Sequence, residues 1–292
     1  MPIKKLNQQK ASPLPPKPVR RVLPRSRATV AMRNDPTRVD PFKLKLGKLK
    51  AEHDPRTLML ASYVTPKLPP APPNFDLTQK VSEWGMMKNE QLGDCTCAAA
   101  GHLLMMWTAN AGNESVPSDD QIVAAYSAIT GYDPTTGAND NGAKEIDVLN
   151  YWRQSGIADH KIGAYLALEP SNQTHIMDSV YLFQGCYIGL QLPKSAQAQV
   201  QNGQPWSVPP AGPTGDGAPG TWGGHAVPVV AYDQRGVTCV TWGALQTMTW
   251  GFWQAYCEEA YAILSNDYFT GAQQTPDGFS MAQLQEDLAD LK

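Results

Sequence analysis

The chain has 292 residues, 42% of them hydrophobic and 17% charged, which is enough to bury a core in one or two domains. No stretch approaches the roughly 18 apolar residues of a membrane-spanning helix, and the first residues lack the apolar run of a secretory signal. Five cysteines without a framework spacing favour reduced thiols over a disulfide scaffold or a zinc site. We therefore expect a cytoplasmic protein that has no membrane contact and needs no metal or cofactor.

The net charge of −3 conceals an uneven distribution along the chain. Residues 1–50 carry 14 Lys/Arg and two acidic residues, whereas the rest carries 10 Lys/Arg and 25 Asp/Glu. The same stretch is rich in proline and has too little apolar surface to fold alone. It predicts a basic arm that binds an acidic protein partner or a neighbouring copy, with nucleic acid as the alternative.

The arm and a linker are assigned to residues 1–74, because five prolines in 65–73 form a stiff spacer. Short pieces at 44–50 and 57–63 can dock on the folded body. The body is assigned to 75–268, and it is followed by a tail, 269–292, with an amphipathic helix at 279–291.

Helical patterns come first in the body and strand patterns come later. Helices are expected from Ala98 to about Asn110, at 121–130 behind a Ser118 cap, and at 147–155. Further on, the pattern predicts a helix at 177–183 and strands at 163–168, 186–192, 225–232, 237–242 and 261–264. This order predicts an α+β protein. Two loops stand out: 131–142, whose Asp and Asn residues lack the register of an EF-hand calcium loop, and 201–220, rich in Gly and Pro.

The stretch from Asn89 to Trp107 runs from a polar loop through Cys95 and Cys97 into an apolar helix. A thiol at such a junction lies near unsatisfied backbone N–H groups and the positive end of the helix dipole, which favour the thiolate. An isolated cysteine of this kind is more often a small buried residue, so a partner base is needed to indicate catalysis.

A candidate base, His225, follows two glycines at the start of an apolar strand pattern. Together, the nucleophile loop, the Asn141-Gly142-Ala143 run and Gly224-His225 resemble, in order, three motifs of the papain-like cysteine peptidases. The resemblance covers about residues 75–268. It implies a two-lobed fold, in which a helical lobe precedes an antiparallel, barrel-like β lobe, behind an extended N-terminal arm. The Gly-Asp-Cys-Thr variant is similar to divergent members from phage and prophage genomes, which adds virion association to the possible locations.

The resemblance also implies roles for individual residues. Cys95 is the nucleophile, because Gly93-Asp94-Cys95 resembles the family's Gly-Ser-Cys, and Asn89 is the oxyanion donor six residues earlier. A competing register pairs Cys97 with Gln91 at the same spacing. His225 is the base in both registers. Peptide binding is assigned to Asn141, Gly142, Ala143 and Gly224.

Three features depart from the family pattern. Thr96 follows Cys95 where the family has tryptophan. The Asn that orients the family's histidine is replaced in Val240-Thr241-Trp242-Gly243: valine cannot accept a hydrogen bond, and Thr241 can do so only if the backbone shifts. The second Trp-Gly pair follows the first by eight residues, a wider spacing than is typical. In addition, residues 1–73 hold too much proline for the family's helical pro-segment, so zymogen control is not expected.

Three functions fit these observations. The first is a cysteine peptidase or amidase that acts through Cys95 and His225 and joins an assembly through its arm. The second is a catalytically silent structural subunit with the same fold, for example in a phage particle. The third is a nucleic-acid-associated protein that binds through residues 1–50.

Overall fold

The structure, a computed structural model, describes residues 40–65, 67, 69–265, 267 and 286. Residues 1–39, which form most of the predicted arm, lie outside the described residues, as does the predicted helix at 279–291 apart from Glu286. Within the described residues, none of the helices is both long enough and apolar enough to cross a membrane.

Six α-helices and seven strands follow one another in the described part of the chain. The helices are α1 Cys95–Ala111, α2 Asp119–Thr130, α3 Glu145–Gln154, α4 Gln173–Leu182, α5 Ser195–Gln201 and α6 Trp250–Tyr256. The strands are β1 Phe75–Asp76, β2 Ile162–Leu168, β3 Cys186–Leu192, β4 Gly223–Tyr232, β5 Gly236–Thr241, β6 Ala244–Thr249 and β7 Cys257–Ser265. Short 3₁₀ turns lie at Leu60–Ser62, Thr78–Lys80 and Gly215–Gly217.

The central helix, α1, is buried on every side from Cys95 to Ala109. Consecutive alanines give it strong helix propensity and let neighbouring elements approach closely. It ends at Gly112, whose φ of 87° supplies the left-handed conformation of a C-cap. A helix that is apolar all round must be enclosed by its neighbours, and here it packs against α2, α3 and the middle of the sheet.

The strands form one antiparallel sheet in the order β2-β7-β3-β4-β5-β6, and β1 pairs with the end of β4. Strands β3 and β4 lie in the middle of the sheet and are buried along almost their whole length, which explains their continuous apolar sequences. Their register places Leu190 opposite His225. The first residues of β4 thereby lie at the edge of the sheet that faces the start of α1.

The predicted order of helices before strands is confirmed, and the protein is α+β. Three elements were not predicted: α5, β6 and α6. Strand β6 has a mixed pattern in which only Gln246 and Met248 are buried, and α6 begins at the second Trp-Gly pair, Trp250-Gly251. Strand β7 is also longer than the predicted 261–264 and begins at Cys257, directly after α6.

The described residues before β1 lie along the body. Met59 pairs with Ala167 of β2, and Lys48 pairs with Ala143 just before α3, both as parallel bridges. The docking of pieces near 44–50 and 57–63 is thus observed. Residues 44–51, the cleft segment, dock between Ala143 and Gly224.

Candidate active site

Cys95 is the first residue of α1, directly after the N-cap residue Asp94. The carbonyl of Asp94 accepts the N–H groups of Cys97, at 2.8 Å, and Ala98, at 3.0 Å, which starts the helix. The thiol therefore lies at the positive end of a 17-residue helix, where partial charges favour an anion.

The sulfur of Cys95 points at the beginning of β4. The backbone N–H of Ala226 donates to Cys95 Sγ at 3.5 Å, and Ala226 directly follows His225. The structure thus brings the predicted nucleophile and the predicted base to one place, although 130 positions separate them in sequence.

The His225 ring is held on one side by Thr241. Its Nε2 atom lies 2.7 Å from Thr241 Oγ1, whereas Nδ1 is buried and has no hydrogen-bond partner among the described residues. With Nε2–H donating to the hydroxyl, Nδ1 keeps a free lone pair that can take a proton. Val240, which the sequence resemblance assigns to the family's asparagine, is buried and apolar.

Trp242 covers the histidine. The two rings stack with centroids 4.5 Å apart and planes 16° from parallel. Trp242 and Gly243 form the two-residue turn between β5 and β6, and both have positive φ, 45° and 67°, as type I′ turns require. A tryptophan in this conformation is strained, and such strain is characteristic of functional sites. The turn places the Thr241 hydroxyl and the Trp242 ring against the same imidazole.

Burial keeps both candidate groups neutral. His225 is 0% exposed and Cys95 is 1% exposed. Loss of hydration lowers the pKa of His225 to about 3 and raises that of Cys95 to about 12, although N–H groups of Ala226 and Gly47 favour the thiolate. In this arrangement the pair is a thiol and a neutral imidazole at neutral pH.

The other predicted catalytic residues occupy different surroundings. The Asn89 amide donates to Asp94 Oδ1 at 3.2 Å and to the Leu92 carbonyl at 3.5 Å, so it braces the loop before α1. Gln91 is exposed and donates to Glu90 at 2.7 Å. Cys97 is fully buried in the first turn of α1, and burial raises its pKa well above the usual range.

The cleft segment runs across the sulfur of Cys95. Gly47 lies close enough for its backbone N–H to lower the pKa of Cys95, and its carbonyl accepts from Ala143 N–H at 2.8 Å. Lys48 N–H donates to the Gly224 carbonyl at 3.1 Å, and Leu49 N–H donates to the Ala143 carbonyl at 3.0 Å. Three of the four predicted peptide-binding residues thus line a groove that holds the protein's own backbone.

Asn141, the fourth of these residues, lies at the end of the same loop. It is exposed, and its N–H donates to the Asn139 carbonyl at 2.8 Å. It precedes the two residues that border the groove, and its own backbone N–H bonds within the loop.

Glycines border the groove where the cleft segment comes close. A Cβ on Gly142 would overlap the Gly47 carbonyl oxygen, and a Cβ on Gly224 would overlap the Lys48 carbonyl oxygen. Gly47 in turn lies against the backbone of Gly93, whose carbonyl oxygen a Cβ on Gly47 would overlap. The fit requires glycine on both the body and the segment.

Asp140 ties the cleft segment to the groove from the helical side. Its carboxylate accepts from Lys45 at 2.6 Å, from Gly93 N–H at 2.9 Å and from the Tyr126 hydroxyl at 2.8 Å. Burial alone would raise the pKa of Asp140, but these hydrogen bonds outweigh it and hold the pKa below its usual value. Across the described residues, no group of three or more His, Cys, Asp or Glu side chains is arranged to hold a metal.

The orientation of the cleft segment is unsuited to attack. Its pairing with Ala143 is parallel, and the carbonyl oxygen of Gly47 is engaged by the Ala143 N–H. Nucleophilic attack requires the carbonyl carbon near the sulfur and its oxygen near hydrogen-bond donors. The structure therefore shows a filled groove without a productive substrate geometry.

A second group of site residues has no signal in the sequence pattern. Lys48 buries its ammonium group against acidic side chains beyond the groove. The acidic residues come from two elements far apart in sequence, at the start of α3 and in β7: Glu145, Glu258 and Glu259. In the sequence, Lys48 is distinguished only by its position after a glycine in a leucine-rich part of the arm, which does not indicate a buried charge.

The comparisons with known proteins bear on the fold. No protein-family profile matches the chain, and no curated protein matches it in sequence. Among solved structures, xylellain, a cysteine protease from Xylella fastidiosa, matches with a TM-score of 0.55 and 15% identity over 76% of this chain and 97% of that one.

Two further solved structures match the same fold. Procathepsin B S9 from Trypanosoma congolense matches with a TM-score of 0.52 and 11% identity over 79% of this chain and 89% of that one. Digestive procathepsin L 3 of Tenebrio molitor matches with a TM-score of 0.50 and 14% identity over 75% and 77%. At these identities the likeness concerns the backbone arrangement, and the protein has the two-lobed fold of the papain-like cysteine proteases.

Proposed function

We propose that this protein is a cysteine peptidase that acts through Cys95 and His225 and that, contrary to the expectation from its proline-rich N-terminal part, the cleft segment holds it in a latent state. One observation carries the proposal: the sulfur at the start of α1 lies against the residue that follows His225, whose ring is fixed by Thr241 and Trp242. A purely structural thiol and histidine would not need this orientation.

The reaction follows from the positions of these groups. Once the groove is open to a substrate, water reaches the pair, the pKa of Cys95 falls and that of His225 rises, so the proton moves from sulfur to Nδ1. The thiolate adds to the substrate carbonyl carbon. The resulting oxyanion faces the unsatisfied N–H groups at the first turn of α1, because the Asn89 amide is already engaged.

Collapse of this intermediate breaks the C–N bond, and the imidazolium gives its proton to the leaving amine. Water then hydrolyses the thioester, with His225 taking the proton of the water and Cys95 regaining a thiol. Thr241 keeps the imidazole in one tautomer throughout by accepting from Nε2–H.

The second candidate is a catalytically silent subunit, and the burial of Cys95 and His225 favours it. In that case the cleft segment would be a permanent part of the core. The predicted binding of a protein partner, a neighbouring copy or nucleic acid through residues 1–50 stays a prediction, as does an assembly of the phage type. The described part of that stretch, 40–50, contacts acidic groups of its own body, such as Asp140.

Labelling with a thiolate-directed epoxide distinguishes the two candidates. The full chain with Lys48→Met, which removes the anchor of the cleft segment, is treated with the probe, and the modified cysteine is identified by mass spectrometry. We expect labelling at Cys95 that is lost in the double variant with His225→Ala. The double variant with His175→Ala, at a half-buried histidine of α4, is the control and should keep the labelling.

Hydrolysis of a peptide by the same Lys48→Met chain completes the test. Cys95→Ala should abolish turnover, whereas Cys97→Ala should retain it if the first register is right. Turnover that survives Cys95→Ala and not Cys97→Ala would favour the competing register. Equal labelling with and without His225, together with no turnover, would leave the silent subunit.

A further inference from the structure

The Lys48 side chain is fully buried, which is rare for lysine. Its Nζ atom lies 2.6 Å from Glu259 Oε1, donates to the Leu49 carbonyl at 3.0 Å, and is hydrogen-bonded to the Glu258 carboxylate. Removing an ammonium group from water costs several kcal/mol unless such partners surround it. Burial alone would lower its pKa, but Glu145, Glu259 and Glu258 together raise it to about 12.

The pocket around this ammonium group belongs to the body. Glu145 begins α3, and Glu258 and Glu259 lie in β7. Glu259 is held from behind, since the Tyr261 hydroxyl donates to its Oε2 at 2.9 Å. The Glu259 carboxyl group is therefore held by the body through a contact that does not involve Lys48.

Gly189 of β3 leaves the space through which the Lys48 side chain reaches the glutamates. A Cβ at this position would overlap Lys48 Cε and would lie 2.8 Å from both Glu145 Oε1 and Glu259 Cγ. The end of the lysine stem and the two glutamates thus converge on one point, and only a residue without a side chain leaves the space. An unbranched stem fits there, whereas the wider planar guanidinium of arginine has less room.

The pocket has more acidic groups than one lysine can neutralise. Glu145 is fully buried, and neither of its carboxyl oxygens has a hydrogen-bond partner among the described residues. Burial and the nearby Glu259 raise its pKa well above the usual range, while Lys48 opposes this shift. The Glu258 and Glu259 carboxylates attract a cation into the pocket, and the unpaired polar group of Glu145 disfavours an apolar side chain there.

The pocket opens into the peptide groove next to the thiol. The Lys48 N–H donates to the Gly224 carbonyl at 3.1 Å, and Ala226, two residues after Gly224, donates its N–H to Cys95 Sγ at 3.5 Å. The lysine is thus presented by a backbone that lies in the groove, one residue away from the sulfur. An isolated structural ion pair would need no such backbone site.

We propose that this acidic pocket is a lysine-selecting subsite of the peptide groove. A peptide that binds across Cys95 places a lysine side chain between Glu145 and Glu259, and Lys48 fills this site from within the same chain. The inference deepens the proposed function by naming its substrate class: peptides with a lysine beside the residue that faces the thiol.

Protection of Cys95 by peptides tests the pocket without requiring turnover. In the full-length Lys48→Met chain, we expect iodoacetamide to modify Cys95 at least about tenfold faster than in the wild type, because the buried charge pair is lost. Lys50→Met, at an exposed lysine two residues further on, should leave the rate unchanged. The modified site is read by mass spectrometry.

A peptide of residues 43–51 is then added to the Lys48→Met chain over a concentration series. It should slow the modification of Cys95, and a version with norleucine in place of the Lys48 counterpart should need at least about tenfold more peptide for the same protection. A version with arginine at that position should fall between the two. Equal protection by the lysine and norleucine peptides would overturn the proposed subsite.

Gly189→Ala in the Lys48→Met background should abolish the preference for lysine, since the added methyl group closes the passage. Gly163→Ala is the matched control: Gly163 also lies in a strand, and its Cβ would meet only the Leu264 carbonyl oxygen at 3.5 Å. If the Gly189→Ala chain does not fold, Glu259→Gln is tested in its place, and it should reduce the preference for the lysine peptide over the norleucine peptide. A full lysine preference in a folded Gly189→Ala chain contradicts the pocket.

The subsite and the proposed hydrolysis can fail separately. Lysine-dependent protection without turnover supports the subsite and overturns the peptidase. Turnover of the lysine and norleucine peptides with equal kcat/KM overturns the subsite and leaves the peptidase.

Discussion

At the scale of single residues, a threonine hydroxyl contacts the imidazole ring of His225. Thr241 lies one position after the residue that the family pattern assigns to orienting the histidine, yet its Oγ1 reaches His225 Nε2 at 2.7 Å. The Trp242-Gly243 turn makes this contact possible, because positive φ at both residues reverses the chain immediately after Thr241.

Thr241→Ala should therefore reduce the reactivity of the thiol–imidazole pair. In the Lys48→Met chain, we expect Cys95 alkylation at pH 6 to slow by about tenfold, because the imidazole loses its fixed tautomer and orientation. The pH profile of the alkylation rate measures the change.

Thr241→Ser keeps the hydroxyl and should retain most of the rate of the parent chain. If the alanine and serine variants share the pH profile of the parent, the Thr241 hydroxyl does not orient His225.

The site residues differ in how far the sequence could identify them. Cys95 and His225 carry local signals, a thiol before an alanine-rich helix and a histidine after two glycines, so both could be named in advance. Lys48 and Glu259 carry none, because each is an ordinary charged residue until the fold brings them together. Their association depends on the docking of the cleft segment against Gly224 and on the pairing of β3 with β7, which local patterns do not determine.

At the scale of elements, the cleft segment lies against the body like an extra strand, and few of its side chains take part in the contact. It is held mainly through its backbone, by Gly224 and Ala143, and through the charged contacts of Lys45 and Lys48. Recognition of this kind depends on close approach, which is why glycines border the groove.

Gly142→Ala tests this close approach. The added methyl group would overlap the Gly47 carbonyl oxygen, and the positive φ of 80° adds strain. We expect the cleft segment to detach and the alkylation of Cys95 to become at least about tenfold faster, since the thiol loses its cover. Alkylation of the full-length chain at pH 7.5 provides the measurement.

Gly137→Ala is the control for backbone strain. Gly137 lies in the same loop with φ of 74°, but nothing lies within 4 Å of its Cβ position. It should cost about 1–2 kcal/mol of stability and leave the alkylation rate unchanged. Equal acceleration in both variants would mean that loop strain, rather than the groove contact, exposes Cys95.

Element boundaries were predictable where capping chemistry is local. Ser118 caps α2 through a capping box with Gln121, and Gly112 ends α1, as their sequences indicate. Strand β6 was missed because its side chains alternate only weakly between core and solvent. It is a strand because the Trp242-Gly243 turn folds it onto β5.

At the scale of the whole molecule, two buried histidines couple stability to pH. His102 in α1 is enclosed beside Trp84, and its Nε2 lies 3.1 Å from the Gly85 carbonyl oxygen. Burial lowers its pKa to about 4 and that of His225 to about 3, both from an ordinary 6.5. Below pH 6.5 the unfolded chain binds protons that the folded chain excludes, so stability falls as the pH drops from 6.5 towards 4.

His102→Gln should reduce this loss. Glutamine can still donate to the Gly85 carbonyl but does not titrate, so the fall in unfolding free energy between pH 7 and pH 5 should shrink by roughly 1–2 kcal/mol. Urea unfolding at both pH values measures it.

His53→Gln, at an exposed histidine, is the matched control and should leave the difference between the two pH values as in the wild type. An identical pH dependence in the His102 variant and the wild type would show that His102 does not contribute to acid sensitivity.

The cleft segment belongs to the same polypeptide as the groove that it fills, so any free peptide must compete with a tethered one. A tethered group is present at an effective concentration on the order of millimolar, which a free peptide of equal intrinsic affinity must match to take its place. Peptides at micromolar concentration would therefore not displace the cleft segment of an intact chain, even if Cys95 is competent. A cut between residue 51 and β1 would turn the segment into a free peptide and abolish its high effective concentration.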